Sequence, residues 1–275
     1  MTTTNIIVSS VENVSTINNQ LTLRFPRNYR SQGDQIGLVN LSMYNSFFNL
    51  TSAFNNLVVS YTMNDGSQNL INFPPGFYTV DDLSGYIQYT MNANGHYLVD
   101  NNGSPVYYFT MQVNPTYYTV TSTFTPVPST LPAGYSNPNN LLLNGRTLQL
   151  QILNNNWGAL IGYANNTLIP LTPQLSITEI NSTQTPQINP VTNINVTCTW
   201  INDTRFSRFS SVIATFVPNA VFGGLMSISP PVLSLYPVTS NSYSEITIAF
   251  MDQNNNALQI QDRNQIQIRL VLKSQ

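Results

Sequence analysis

At 275 residues, with 41% hydrophobic and 11% aromatic side chains, the chain can bury a sizeable core as one large β domain or two smaller ones. Only 7% of its residues are charged, against roughly 25% in an ordinary soluble domain, and 38 Asn with abundant Ser and Thr stand in their place. The 15 Tyr and 13 Phe exclude low-complexity disorder, and a net charge of −2 excludes a chain-wide electrostatic footprint for nucleic acid. A surface of neutral amides and hydroxyls has little self-repulsion and suits faces covered by copies of the same chain.

In chain order, the opening MTTTNIIVSSVENVSTINNQ has neither a basic nor an apolar signal region, so no secretory leader is expected. No apolar run approaches the roughly 18 residues of a membrane span. QLTLRF (20–25) and QIGLVNLSMYNSF (35–47) alternate as half-buried strands do. NNLVVSYTM and QNLINF flank Asn64-Asp65-Gly66-Ser67, a hairpin signal, because Asp-Gly supplies the positive φ of a tight turn.

FPPGFYTVDDLSGYIQYTM (73–91) breaks this pattern. Pro74-Pro75-Gly76 stops a strand, Thr79 and Asp82 have capping-box spacing, and Val80, Leu83, Ile87 and Met91 fall on one helical face. The segment is predicted as an amphipathic helix (79–94), stopped by Asn94-Gly95, with Ser84, Gln88 and Asn92 on its exposed face. It is either a cover for a sheet face or inserted subdomain, or a functional element.

PVYYFTMQV and TYYTVTSTF flank Asn114-Pro115 as a second hairpin. The loop 125–140 leads to RTLQLQIL, and a polar stretch (178–193) precedes the strands INVTCTW, SSVIATFV, VLSLYPV, SEITIAFM and NQIQIRLVL. About a dozen short strands without helical alternation argue for an all-β antiparallel sandwich or jelly roll and against parallel α/β.

Chemistry-bearing residues are sparse. The single Cys198 lies in a strand pattern, as a buried inert thiol does, and the single His96 reads as an exposed turn residue. Neither can complete a zinc site, so no metal and no cofactor is expected. Asp252, Asn254 and Asn256 offer hard oxygens for calcium, but the run lacks an EF-hand glycine and closing Glu and reads as an Asn-rich turn. No catalytic residue set is present, and the chain is read as a non-enzyme. Arg24, Arg27 and Arg30 in RFPRNYR, and Arg205 and Arg208 in DTRFSRF, form two basic-aromatic patches. They suit either an assembly interface with phosphates or carboxylates of a neighbour, or a solvated rim paired with Asp34 or Asp203.

FPPGFYTVDDLSGYIQ, WGALIGYANNT and the closing SEITIAFMDQNNNALQIQDRNQIQIRLVLKS together resemble the penton (minor) capsid proteins of virophages and Polinton-like viruses. The closing pattern falls on Phe250, Asp252, Leu258 and the Ile266–Leu272 strand, and the likeness runs loosely over 36–275. The resemblance implies a single jelly-roll β-sandwich from residues 1–73 and 190–275, interrupted by an outward-facing α+β or β insertion, 74–189, organised by the helix. It also implies a structural virion protein, assembled in the infected host cell, that forms pentamers at icosahedral vertices against the major capsid protein. The insertion would be free to meet a host receptor. At 275 residues the chain is too short for a double-jelly-roll major capsid protein. The alternative is a receptor- or carbohydrate-binding sandwich of the fibre or spike kind. Its motif is PVYYFTMQVNPTYYTV (105–120), which reads more readily as two strands with aromatic cross-strand packing.

Overall fold

The computed structural model of the chain describes residues 2–10, 14–15, 20–201, 211–261 and 265–274. Two compact units result: Met1–Phe48 with Val191–Gln275, and Asn49–Pro190.

The first unit is an antiparallel sandwich of eight main strands. These are β1 (Thr2–Ser9), β2 (Gln20–Arg30), β3 (Gln35–Tyr44), β4 (Ile194–Cys198), β5 (Val212–Phe216), β6 (Leu225–Ile228), β7 (Ser242–Met251) and β8 (Gln267–Ser274). One sheet runs β1-β8-β3-β6 and the other β2-β7-β4-β5, with the short pieces Tyr236–Pro237 on β3 and Val14–Ser15 on β2. First pairs with last, second with seventh, third with sixth and fourth with fifth. That nesting is a long hairpin rolled into two sheets, the jelly roll. The second unit is inserted in the chain between β3 and β4.

Alternation decides which residues fill the sandwich. Ile268, Leu270 and Leu272 of β8, Ile246, Ile248 and Phe250 of β7, and Ile194, Val196 and Cys198 of β4 are buried at every second position. β3 changes phase: Ile36 and Leu38 are buried, then Leu41 and Met43. The cause is a bulge. Opposite β8, Arg269 meets Asn40 but Leu270 meets Leu38, so Val39 is the extra residue and the inward set shifts by one. At one end Trp200 is buried, stacked between Tyr29 (5.4 Å) and Tyr243 (4.7 Å), and its Nε1 donates to the Glu245 carbonyl at 2.9 Å.

One expected strand is largely absent and one unexpected strand is present. VLSLYPV is irregular apart from Tyr236–Pro237, since Pro230, Pro231 and Pro237 cannot donate to a ladder. β6, by contrast, was hidden in the glycine-flanked LMSI, where only Met226 is buried.

The second unit is α+β. Its sheets are Leu168–Ile169, Gln149–Gln151, Val58–Thr62, Gln68–Asn72; Thr178–Asn181, Thr119–Phe124, Phe109–Asn114; and Leu98–Val99 with Pro105–Val106. The hairpin 58–72, grouped with the sandwich in the sequence reading, lies here because Val58–Thr62 pairs with Gln149–Gln151. Helix α1 (Val80–Ala93) starts with the expected capping box: the Thr79 hydroxyl accepts from the Asp82 amide, and Asp82 accepts from the Thr79 amide at 2.9 Å. Val80, Leu83, Ile87 and Met91 pack into a core with Tyr61, Ile71, Phe109 and Phe124. A short helix, α2 (Asn155–Ile161), is capped by Asn154 and buries Trp157 in the same core. Gly162 ends it at φ 77, and a Cβ there would lie 2.1 Å from the Gln184 carbonyl oxygen, so only glycine fits.

Ser84 and Gln88 are not on an exposed face. The Ser84 hydroxyl accepts from the Met111 amide at 2.9 Å, and Gln88 Nε2 donates to the Phe109 carbonyl at 3.0 Å. Phe109–Asn114 is an edge strand, and α1 covers its open side with side chains instead of a further strand.

Candidate functional site

The two sides of the sandwich are chemically unlike. On one side both sheets end, in β6 and β5. The 216–235 region between and after these strands leaves Val217, Val221, Leu225, Val232 and Leu233 exposed, Val221 at 81% and Val232 at 73%. A cleft of about 300 Å³ opens there, lined by Leu38, Ile213, Phe216, Ile228, Pro231 and Tyr236. Both last strands contribute to it, so the side is an apolar seam where the two sheets part. Such a concentration of exposed apolar residues marks an interaction surface rather than the scattered apolar residues of an ordinary exterior.

On the other side the sheets end in β1 and in β2, the latter with the short Val14–Ser15 piece along it. β1 is mostly polar outside, with Thr2, Thr3, Thr4 and Asn5 exposed beside the apolar Ile7. Arg24, Arg27 and Arg30 are exposed on β2. Against β7, the register passes from Tyr29 opposite Tyr243 to Arg24 opposite Glu245, so Phe25–Asn28 bulge out around Pro26 and carry Arg27 with them. Arg24 lies 3.5 Å from Glu245, and both side chains are substantially exposed, which makes this a weak, solvent-screened pair. Its observed partner is therefore Glu245 and not Asp34. Arg30 borders a polar cleft of about 490 Å³ with Ser31, Gln32, Ser240, Asn241 and Ser242. Arg205, Arg208 and Asp203 lie outside the described residues.

Asp34 is buried at the β2–β3 turn and accepts from the Tyr29 hydroxyl at 2.5 Å. Burial pushes its carboxyl up, but the hydrogen bonds from the Tyr29 hydroxyl and the Gln32 amide, with the neighbouring Ser31 and Ser274 hydroxyls, outweigh it and hold the carboxyl below its usual range. It is a buried anchor, and among the described residues no arginine pairs with it.

The other singled-out residues are structural. Asp252 is buried, its Oδ1 accepting from the amides of Asn254 (2.8 Å) and Asn256 (2.7 Å), with Oδ2 taking the Asn256 side-chain amide at 3.1 Å. Its oxygens thus organise the turn. Among the described residues no group of three or more His, Cys, Asp or Glu is placed to hold a metal ion. His96 is half-buried, not exposed, with Nδ1 2.8 Å from the hydroxyl of the fully buried Tyr61. Cys198 is fully buried in β4, and burial pushes its thiol up to about 12. No helix among the described residues is long and apolar enough to cross a membrane.

The apolar seam was missed in the sequence because SSVIATFV and VLSLYPV read as strands that turn their apolar residues inward, and the stretch between them reads as no element. Its signal was the density of Pro and Gly among apolar residues, which prevents the regular pairing that would bury them.

The class defined by these observations is a single jelly roll interrupted between its third and fourth strands by an α+β unit. No family model and no curated protein matches the chain. Among solved structures it is similar to the mavirus penton protein over 99% of each chain, at 8% identity and a TM-score of 0.49. It is also similar to a chain of the Sputnik virophage cryo-EM structure, over 99% of this chain and 97% of that one, at 12% identity and a TM-score of 0.43.

Proposed function

We propose that the chain is a structural virion protein, a penton subunit whose five copies close a ring at an icosahedral vertex against the major capsid protein. The observation that carries this reading is the pairing of an apolar seam at β5 and β6 with a polar, arginine-bearing side at β1 and β2. Two unlike sides on one subunit favour a head-to-tail contact, and a head-to-tail contact that closes makes a ring. Closure also covers the open ladders of four sheet edges, a liability in a free β protein. The sparse charge of the chain, 7% of residues, removes the repulsion that would oppose such packing. The sequence resemblance to penton proteins supports the same reading. In the assembled ring Arg24, Arg27 and Arg30, with Arg205 and Arg208, supply polar contacts to neighbours or to the major capsid protein. The role is architectural and uses no cofactor.

Light scattering of the purified chain across concentration and ionic strength tests the proposal. The expected species is a closed pentamer, lost on Val221→Asp or Val232→Asp, with a five-fold ring in negative-stain images. A monomer under all conditions, together with absence from purified virions, overturns it.

A further inference from the structure

We propose that the tip of the Phe109–Asn114/Thr119–Phe124 hairpin is a binding site for a neutral saccharide, with Tyr117 and Tyr118 as the stacking residues. Asn114 pairs with Thr119, so Pro115–Tyr118 form a four-residue tip beyond the ladder. The aromatic pair is therefore not cross-strand packing. Tyr117 is 69% exposed and Tyr118 76%, and among the described residues no hydrogen bond or ring contact engages either side chain.

The backbone adds an independent observation. Tyr118 has φ 52, in the left-handed region. The other non-glycine residues with positive φ among the described residues are Asn55, Asn140, Asn166 and Asn255. Asparagine and glycine adopt this conformation at least cost, and among the described residues they hold every such position but this one. A tyrosine at such a position is conformationally unfavourable and repays nothing by burial within its own chain. Its return is in a contact made from outside.

The surroundings select the ligand. Residues 109–124 contain no Asp, Glu, Lys or Arg. The charged residue of this three-stranded sheet is Glu179, opposite Thr123, at the end away from the tip. An uncharged site offers nothing to a phosphate, a sialic acid or a basic peptide. Two tyrosine faces expose roughly 300 Å² between them, well below the roughly 800 Å² per partner of a specific protein interface. That area matches one or two pyranose rings, whose C–H faces stack on aromatic rings. Exposed Gln112 and Thr116 and the two phenolic hydroxyls supply hydrogen bonds to sugar hydroxyls.

The test is binding of the full chain to an array of immobilised neutral oligosaccharides (glucans, mannans, galactose and N-acetylglucosamine oligomers) beside sialylated and sulfated ones. Neutral oligosaccharides are expected to bind, and Tyr117→Ser and Tyr118→Asn to weaken that binding at least tenfold. Tyr118→Asn keeps the left-handed turn, so its melting temperature should equal or exceed that of the parent. No binding to neutral sugars, binding confined to acidic ones, or equal binding by the variants overturns the proposal. A fall in oligomeric mass caused by Tyr118→Asn would also overturn it, by assigning the tip to a contact between copies. Because oligomeric mass and sugar binding are read separately, failure here leaves the ring proposal standing, and the reverse.

Discussion

Asn49 and Tyr78 exchange two hydrogen bonds: Asn49 Nδ2 donates to the Tyr78 carbonyl at 2.8 Å, and Asn49 Oδ1 accepts from the Tyr78 amide at 2.9 Å. The same Nδ2 donates to the Ile188 carbonyl at 2.9 Å. One buried side chain at the first residue of the inserted unit thus ties its entry to the approach to α1 and to the last residues before its exit. The amide imitates a strand, presenting a donor and an acceptor to a backbone that has no strand beside it.

Replacing Asn49 by Ala removes the partner of three part-buried backbone groups. Each buried unpaired group costs about 1–3 kcal/mol, and partial relaxation brings the expected loss to about 3 kcal/mol. Urea unfolding measures it, and hydrogen exchange of the Tyr78 amide should accelerate. Unchanged protection of that amide would refute the stapling role.

Ser84 faces the open side of an edge strand, where its hydroxyl holds the Met111 amide. Ser84→Ala leaves that buried amide without a partner and should cost about 1–3 kcal/mol, although Ala is the better helix former. Thr79→Ala, which removes the exposed cap of the same helix, should cost only about 1 kcal/mol. An inverted order of the two losses would show that capping, not edge covering, fixes α1.

His96 is the single histidine, so its titration can be followed without ambiguity by NMR. Asn94 Nδ2 donates to the Tyr61 hydroxyl at 2.8 Å, so that hydroxyl is directed to give its proton to His96 Nδ1, and the neutral imidazole carries its proton on Nε2. Burial pushes the imidazole below its ordinary range, and the Asp65 carboxylate pulls it part of the way back. The folded protein then binds fewer protons than the unfolded chain between the two pKa values. This contribution to stability is complete above the ordinary imidazole pKa of about 6.5 and is lost as pH falls through the folded value. Asp65→Asn should lower the pKa further. An imidazole titrating above 6.5 would contradict the arrangement.

Cys198 should resist iodoacetamide at pH 8 in the native protein, since burial both blocks access and raises its thiol to about 12. Labelling should then track unfolding in urea. Rapid native labelling would mean that β4 opens locally.

α1 was legible to the residue. Thr79, Asp82 and the positions 80, 83, 87 and 91 declare a helix because capping and periodicity act over four residues at most. β7 and β8 were legible for the same reason, since alternation is local. β1 was not: it pairs with β8 at eight positions, yet only Val8 of it is buried, so no apolar rhythm marks it. β6 escaped likewise, with Met226 alone turned inward.

Composition and local alternation by themselves determined that the chain is β-rich, sparsely charged and poor in catalytic groups. Tertiary structure alone decided that Thr2 meets Ser274, that Ser84 faces a strand edge, and which apolar residues of 216–235 stay outside. These outcomes depend on ladders joining segments up to the whole chain apart. A residue's burial there is set by its partner strand, and no window of neighbouring residues contains that partner.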